Sequence, residues 1–389
     1  MIYINAISSI STLGDCSEEI CKALISKNTP FLLPRADLLL NHKTSYFGSI
    51  TTSLLELKAE FLEYNSRNNR VLLHLVKKIE KQLMHFVNTY GPKRIGIVMG
   101  TSTSGILETE TVMRNYVKDG IQDPNFSITV QELGSPSAFL AKLLHIEGPA
   151  YTISTACSSS SRAIISGVRM IKANLADAVI VGGADTLCRS TIQGFDAMHI
   201  LSYDYCTPFA SERHGINIGE AGGLMLLSKE KAPLYVKSYG ESSDAYHVSS
   251  PHPQGLGAIA AMSAALAEGH LKAEDIGYIN LHGTATKFND AMEALAVNTV
   301  FKGHTPSSST KHLTGHTLGA AGILEACILA YLMTSKVNLP PQDFTFSTYD
   351  PTLPDFGLIR DEVTLKKDFT LSNSFAFGGN NTAIILGRC

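Results

Sequence analysis

Short runs of β-branched and apolar residues alternate with longer stretches whose apolar residues recur every three to four positions, over nearly the whole chain. That alternation restricts the fold to an α/β architecture. "YTIST" (residues 151 to 155) predicts a strand. A helix from about 158 to 175 follows, with Ile164, Val168, Ile171 and Leu175 aligned, and "AVIVGG" predicts the next strand. Cys157 falls at the first junction of this strand–helix–strand unit. Upstream, "YINAI" opens as a strand, residues 71 to 90 read as a helix with Leu72, Val76, Ile79, Leu83 and Phe86 on one stripe, and "RIGIVMG" ends a strand in glycine. "YINLHG", "GILEACILAYLM" and "TAIILG" repeat the alternation in the second half, without detectable sequence identity to the first. The expectation is two similar halves fused into one body. Residues 29 to 69 are the least regular and 307 to 311 form a short polar stretch; neither reads as a flexible linker.

A chain of 389 residues with 44% apolar and 17% charged residues can bury a large core. Its net charge of −3 gives no reason to expect nucleic acid or an anionic membrane as a partner. "MIYINAISSI" lacks the basic start and long apolar stretch of a signal peptide, and no run of about 18 apolar residues occurs. A soluble cytoplasmic protein is expected. The seven cysteines are odd in number and form no CxxC pair, so neither a disulfide framework nor a zinc knuckle, and no metal, is indicated.

A cysteine just before a helix meets the partial positive charge of the first backbone N–H groups, which lowers the thiol pKa, and sits where its sulfur is exposed at a strand end. Its own N–H can serve as one oxyanion donor. His282 in "NLHGTATKFND" and His316 in "STKHLTGHTLGAAG" follow strand-like runs and precede small residues that let a substrate approach. Thirteen histidines are present, however, His42, His199 and His312 among them, and each alone reads as structural. In "SNSFAFGGNN" the turn at Gly378 and Gly379 has N–H groups that could face an anion, or is an ordinary turn. "GTSTSG" (100 to 105) resembles a phosphate cradle only loosely and lacks the P-loop lysine.

Taken together and in order, "TACSSS", "DAYHVSSPHPQGLGA", "HGTAT", "STKHLTGHTLGAAG" and "NSFAFGGNN" resemble the signature blocks of the elongating β-ketoacyl-[acyl-carrier-protein] synthases. The resemblance implies a thiolase fold, with two βαβαβ-type halves (1–230 and 231–389) stacked into a five-layered α/β/α/β/α body. It implies that Cys157 takes the acyl chain as a thioester while His282 and His316 act on a malonyl-type extender. Phe377 would gate the site, its N–H completing the oxyanion hole with that of Cys157, and Gly378 would belong to the same hole and gate. Lys311 and Glu325 would support the site, and Thr284 and Thr286 would touch the phosphopantetheine arm. No cofactor is implied, because the substrates ride on the phosphopantetheine of acyl carrier protein. The implied partners are that carrier and a second synthase chain, as a homodimer or as a heterodimer with a chain-length-factor-like homologue.

Departures point to a specialised member. Ala376 stands where the family commonly has glycine, Ala210 and His214 replace two aspartates although Arg213 and Glu220 remain, and Lys287 replaces a common proline. "GTSTSG", "HGTAT..ND" and "FAFGGNN" look most like the synthases of bacterial aryl polyene clusters. Three rivals are separable. A thiolase would carry a second cysteine in the C-terminal glycine loop, a chain-length factor would lack the nucleophile, and a generic Cys–His acyltransferase or hydrolase would leave the second histidine idle.

Overall fold

The computed structural model describes residues 1–26, 31–124, 126–335, 337–345 and 347–389. Thr29 and Pro30, at the start of the irregular stretch, lie outside them. Five strands of the first half, β1 (Ile2–Ser11), β4 (Ile95–Gly100), β5 (Ala150–Ile153), β6 (Ala178–Asp185) and β8 (Ala221–Ser228), pair in the order β5-β4-β6-β8-β1. The irregular region supplies β2 (Leu33–Arg35) and β3 (Ser45–Gly48), which form a small sheet with β7 (Ile218–Gly219). In the second half β9 (Leu234–Ser243), β10 (Ile276–Asn280), β11 (Ser307–Ser308), β12 (Phe369–Phe375) and β13 (Asn380–Arg388) pair as β11-β10-β12-β13-β9.

The second order repeats the first strand for strand. In each set three strands run parallel, the fourth runs against them, and the fifth pairs antiparallel with the fourth. The two sets meet where β1 pairs antiparallel with β9 at Ile2↔Val236, Tyr3↔Tyr235 and Ile4↔Leu234, which makes one ten-stranded ladder.

Helices fill the faces. α1 (Ser17–Leu24) precedes the small sheet; α2 (Arg67–Tyr90) and α4 (Ser135–Leu144) cover the outer face of the first set, and α3 (Ile106–Asp119) lies between them in the chain. α5 (Ser159–Lys172) packs on β4 and β6 from the inner side and also reaches β13; α6 (Arg189–Ala197) follows β6. α7 (Leu256–Gly269) covers β9 and β13 with α8 (Lys287–Phe301) against it; α9 (Lys311–Thr314) is a single turn. α10 (Ala321–Thr334) packs on α5 and touches β1, β8, β12 and β13. The layers are therefore helix, sheet, helix, sheet, helix, with α5 and α10 in the middle, which is the thiolase-like arrangement.

The sequence explains the middle layer. Residues 321 to 333 of α10 are all buried, so "GILEACILAYLM" is apolar all round apart from the ion-paired Glu325, because the helix has no solvent face. Gly322 lets α10 approach α5, since a Cβ there would lie 1.9 Å from Ser161 Oγ. The α2 stripe predicted from periodicity is buried as expected, and Ser66 caps the helix by accepting from the Asn69 amide at 3.1 Å. One element differs: α5 stops at Lys172, and Leu175, assigned to the helix stripe, lies in the following turn 58% exposed. Among the described residues no helix is long and apolar enough to cross a membrane.

Candidate active site

Between β5 and α5 the chain makes a sharp elbow in which Ala156 takes φ 52°, a left-handed value that costs a non-glycine residue about 1–3 kcal/mol. Serines hold it there. Ser159 Oγ accepts from the Thr155 amide at 2.9 Å and donates to the Ala156 carbonyl at 2.6 Å, while Ser158 Oγ donates to the Thr155 carbonyl at 2.8 Å. The next two serines tie the elbow to the second half: Ser160 Oγ accepts from the Ile323 amide at 2.9 Å, and Ser161 Oγ bonds Ser374 Oγ at 2.8 Å. The serine run of "TACSSS" is thus a buried polar seam.

The elbow presents Cys157 to two histidines from the other half. Its Sγ and one nitrogen of each of His282 and His316 lie within 4.8 Å of one another, and the two rings stand edge to face with centroids 5.4 Å apart. His316 Nδ1 accepts from the Leu318 amide at 3.1 Å, so in the neutral ring the proton sits on Nε2. Nδ1 of His282 is buried without a hydrogen-bond partner. Burial, and next the Lys311 ammonium, hold both imidazoles well below the usual histidine pKa, with His316 adding to the effect on His282. Both are held toward the neutral form. Lys311 is 1% exposed and paired with the buried Glu325, whose carboxyl burial pushes up against the pull of the lysine.

Two carboxylates that sequence reasoning passed over shape the His282 loop. Glu293 accepts the amides of His282 at 2.8 Å and Gly283 at 2.7 Å, and Asp290 accepts those of Thr284 at 3.0 Å, Ala285 at 3.2 Å and Phe209 at 2.8 Å. Burial pushes Glu293 up to about 7 and Asp290 up to about 6. The available signal was their i, i+3 spacing, which puts both on one face of the first turns of α8.

Burial also corrects the expected thiol. Cys157 is 8% exposed, and desolvation pushes its pKa up to about 11 rather than down. Lys311 and the backbone N–H groups of Phe377 and of Cys157 itself pull the other way. Those two amides face the sulfur. The remaining N–H groups of the glycine turn are used internally: Gly378 donates to the Val248 carbonyl at 2.8 Å and Gly379 to that of Ala376 at 3.1 Å. Gly378 is therefore no oxyanion donor. "GTSTSG" is no phosphate cradle either, because the Ser102 and Thr103 amides donate to the buried Asp185 carboxylate at 2.9 and 2.8 Å.

Cys157, His282 and His316 line a pocket of about 230 Å³, together with Thr284, Thr286, Phe377 and an apolar side made by Phe195, Met198, Ile200 and Ile216. The threonine hydroxyls lie 3.0 Å apart along it. The three donor atoms could in principle hold a soft cation. The lone pair of His316 Nδ1 is committed to Leu318, however, so metal ligation through Nε2 would cost that bond. A second acidic cluster, Asp15, Cys16 and Glu19, is partly exposed and its Asp15 is engaged by Lys78 and His74.

The profile of the Beta-ketoacyl synthase N-terminal domain matches residues 72–232 and that of its C-terminal domain matches residues 235–344. The chain belongs to the β-ketoacyl synthase family. It is a condensing acyltransferase of the β-ketoacyl-acyl-carrier-protein synthase type. Nodulation protein E of Rhizobium meliloti (strain 1021) is 34% identical over 305 residues, 75% of each chain. The 3-oxoacyl-[acyl-carrier-protein] synthase 2 of Synechocystis is 31% identical over 317 residues, 77% of this chain and 76% of its own length. Among solved structures, the ketosynthase ApeO of Xenorhabdus doucetiae, in complex with its chain length factor ApeC, superposes with a TM-score of 0.96 at 48% identity, covering 100% of this chain and 98% of that one.

The departures of this β-ketoacyl synthase from the family pattern have local explanations. Ala376 is extended (φ −98°, ψ 157°), which alanine adopts freely, whereas Gly378 and Gly379 take φ 76° and 72°. Arg213 binds Asp350 at 2.6 Å, and Glu220 holds Arg67 in a two-pronged pair at 2.8 Å. Ala210 is buried, its carbonyl accepting from Arg213 Nη1 at 2.6 Å, His214 is exposed, and Lys287 projects to solvent at the start of α8.

Proposed function

We propose that this synthase extends a carrier-bound acyl chain by decarboxylative Claisen condensation, with Cys157 as nucleophile and His282 and His316 serving the extender. The supporting observation is the thiol and two neutral imidazoles within 4.8 Å of one another, beneath the amides of Cys157 and Phe377. In the first half-reaction Sγ attacks the acyl thioester carbonyl, the carbon–sulfur bond to the carrier breaks, and the thiol proton ends on the departing carrier thiolate. The oxyanion rests on the two amides. In the second, the malonyl carbon–carbon bond breaks, carbon dioxide departs, and the electron pair becomes an enolate whose oxygen accepts from the histidine N–H groups. The enolate carbon attacks the Cys157 thioester, the carbon–sulfur bond breaks, and the departing sulfur takes up one proton from solvent. Lys311 and Glu325 hold the electrostatics of this corner, and Thr284 and Thr286 guide the phosphopantetheine arm. The chemistry needs no bound cofactor.

Acyl carrier protein is the substrate-bearing partner in this reading, and a second synthase chain the structural one. A chain-length-factor-like partner is favoured by the 48% identity to a ketosynthase solved with its chain length factor. The "GTSTSG", "HGTAT..ND" and "FAFGGNN" blocks favour an aryl polyene-type product, and the use of carrier-bound thioesters as substrates favours a cytoplasmic site of action. Intact mass after mixing with acyl carrier and malonyl carrier tests the reaction. Condensation lengthens the carrier-bound chain by two carbons, and Cys157→Ala abolishes the acyl adduct; release of free acid, or labelling that persists in the variant, would remove the assignment.

A further inference from the structure

Asp185 ends β6 at full burial, and none of the steps above uses it. Its Oδ1 accepts from the hydroxyls of Thr101 at 2.7 Å and Thr103 at 2.6 Å and from the amides of Ser102 at 2.9 Å and Thr103 at 2.8 Å. Its Oδ2 crosses to the second half and accepts from the Ala320 amide at 3.0 Å. Ala320 closes the turn Leu318–Ala320, and Leu318, held at φ 52°, is the residue whose amide donates to His316 Nδ1. At the other end Ser102 Oγ reaches the carbonyl of Ala156, the residue before the nucleophile, at 3.5 Å. Gly319 makes the crossing possible, because a Cβ there would lie 2.8 Å from Asp185 Oδ2.

We propose that Asp185 is a positioning residue: by anchoring the 318–320 turn to the loop after β4, it fixes His316 as the Nε2–H tautomer and sets that proton's place relative to Cys157. The carboxylate touches no reacting atom. It acts through a strained turn that the chain would otherwise relax, and loss of the anchor frees Leu318 to leave the left-handed region. The Nδ1 lone pair then loses its donor, and the ring proton is shared between the two nitrogens. This rests on the reading of His316 as a donor to the extender carbonyl.

The test is Asp185→Asn in the full chain, read by long-range proton–nitrogen correlation of histidine-labelled enzyme, with the His316 signals assigned through His316→Gln. The wild type shows a protonated Nε2 and an unprotonated Nδ1. The variant is expected to show mixed tautomers and a condensation kcat lower by roughly ten- to a hundredfold, with KM within about threefold, the scale of a misplaced but intact catalytic group. Gly319→Ala displaces Oδ2 while keeping its charge and should give the same two changes; it carries the test if Asp185→Asn does not fold. Ser238→Ala, which loses a buried bond to the Ala265 carbonyl at 2.7 Å away from this network, should lower Tm without shifting the tautomer. A folded Asp185→Asn or Gly319→Ala enzyme with a single wild-type tautomer overturns the proposal, whether or not condensation falls. So does a tautomer shift with unchanged condensation. A wild type that never condenses, with variants that still shift the tautomer, would sink the condensing reaction and keep the positioning.

Discussion

At Cys157 burial and positive field pull the thiol in opposite directions, and magnitudes decide the outcome. Desolvation leaves the pKa near about 11 after Lys311 and the two amides have acted. A helix end adds at most about 2 kcal/mol, roughly one and a half pK units, so the thiol stays above its ordinary value. Alkylation by iodoacetamide should therefore climb about tenfold per pH unit from 7 to beyond 9. A plateau near pH 8 would show that the helix end had won. Glu293 makes a second prediction. Its folded pKa of about 7 lies above the unfolded 4.5, so the folded chain holds this proton more tightly and the stability it confers, present at low pH, is lost as pH rises toward and through 7. Glu293→Gln has no such proton, and between pH 5 and 8 the wild type should lose stability relative to it by up to about 3 kcal/mol, measured by denaturant unfolding. The same variant turns one side-chain amide against the His282 or Gly283 N–H, so condensation should fall more than acyl loading does.

Among the elements, the loop 375 to 379, which the family resemblance assigns as a gate over Cys157, is where backbone conformation dictates the experiment. Opening such a gate needs rotation in residues 375 to 379, and only Gly378 and Gly379 there hold positive φ. A Cβ on Gly378 would meet only the side-chain Nδ2 of Asn380, at 3.3 Å, so Gly378→Ala penalises the conformation and little else. It should slow acyl loading more than Ala376→Gly, which should load as fast as wild type or faster; stopped-flow loading with normal Gly378→Ala rates would put the hinge elsewhere. Elements were the most legible level of the sequence. Leu72 to Phe86 could be read as a helix because one face is buried and the other wet. Cys157, His282 and His316, each of which reads as structural alone, were singled out by the ordered blocks of the family resemblance, and the fold brings the three together. Asp185, Asp290 and Glu293 were not, since a carboxylate that accepts backbone amides looks like any acidic residue until the loop folds round it. Leu175 kept the helix period past the helix end, which periodicity alone cannot detect.

For the whole molecule, the two strand sets share one core: Ile164 and Val168 of α5, Ile323 and Ile328 of α10, Tyr278 of β10 and Ile384 of β13 belong to a single apolar cluster. Calorimetry should accordingly show one unfolding transition, and a chain cut at residue 230 should expose the inner face of α5 and be degraded rapidly by protease. Two separate transitions would mean that each set holds its own core. Gly322→Ala, which forces α10 away from Ser161, should cost about 1–3 kcal/mol. The strand order has one more consequence, and it concerns time. β9 lies between β1, made at the outset, and β13, made long afterwards, so a growing chain carries β9 with one side open through the synthesis of α7, β10, α8, β11, α10 and β12. During that interval its N–H and C=O groups can pair with any strand nearby, including the same strand on a neighbouring nascent chain. Translation speed through residues 244 to 379 therefore sets how long the molecule is vulnerable before it is an enzyme.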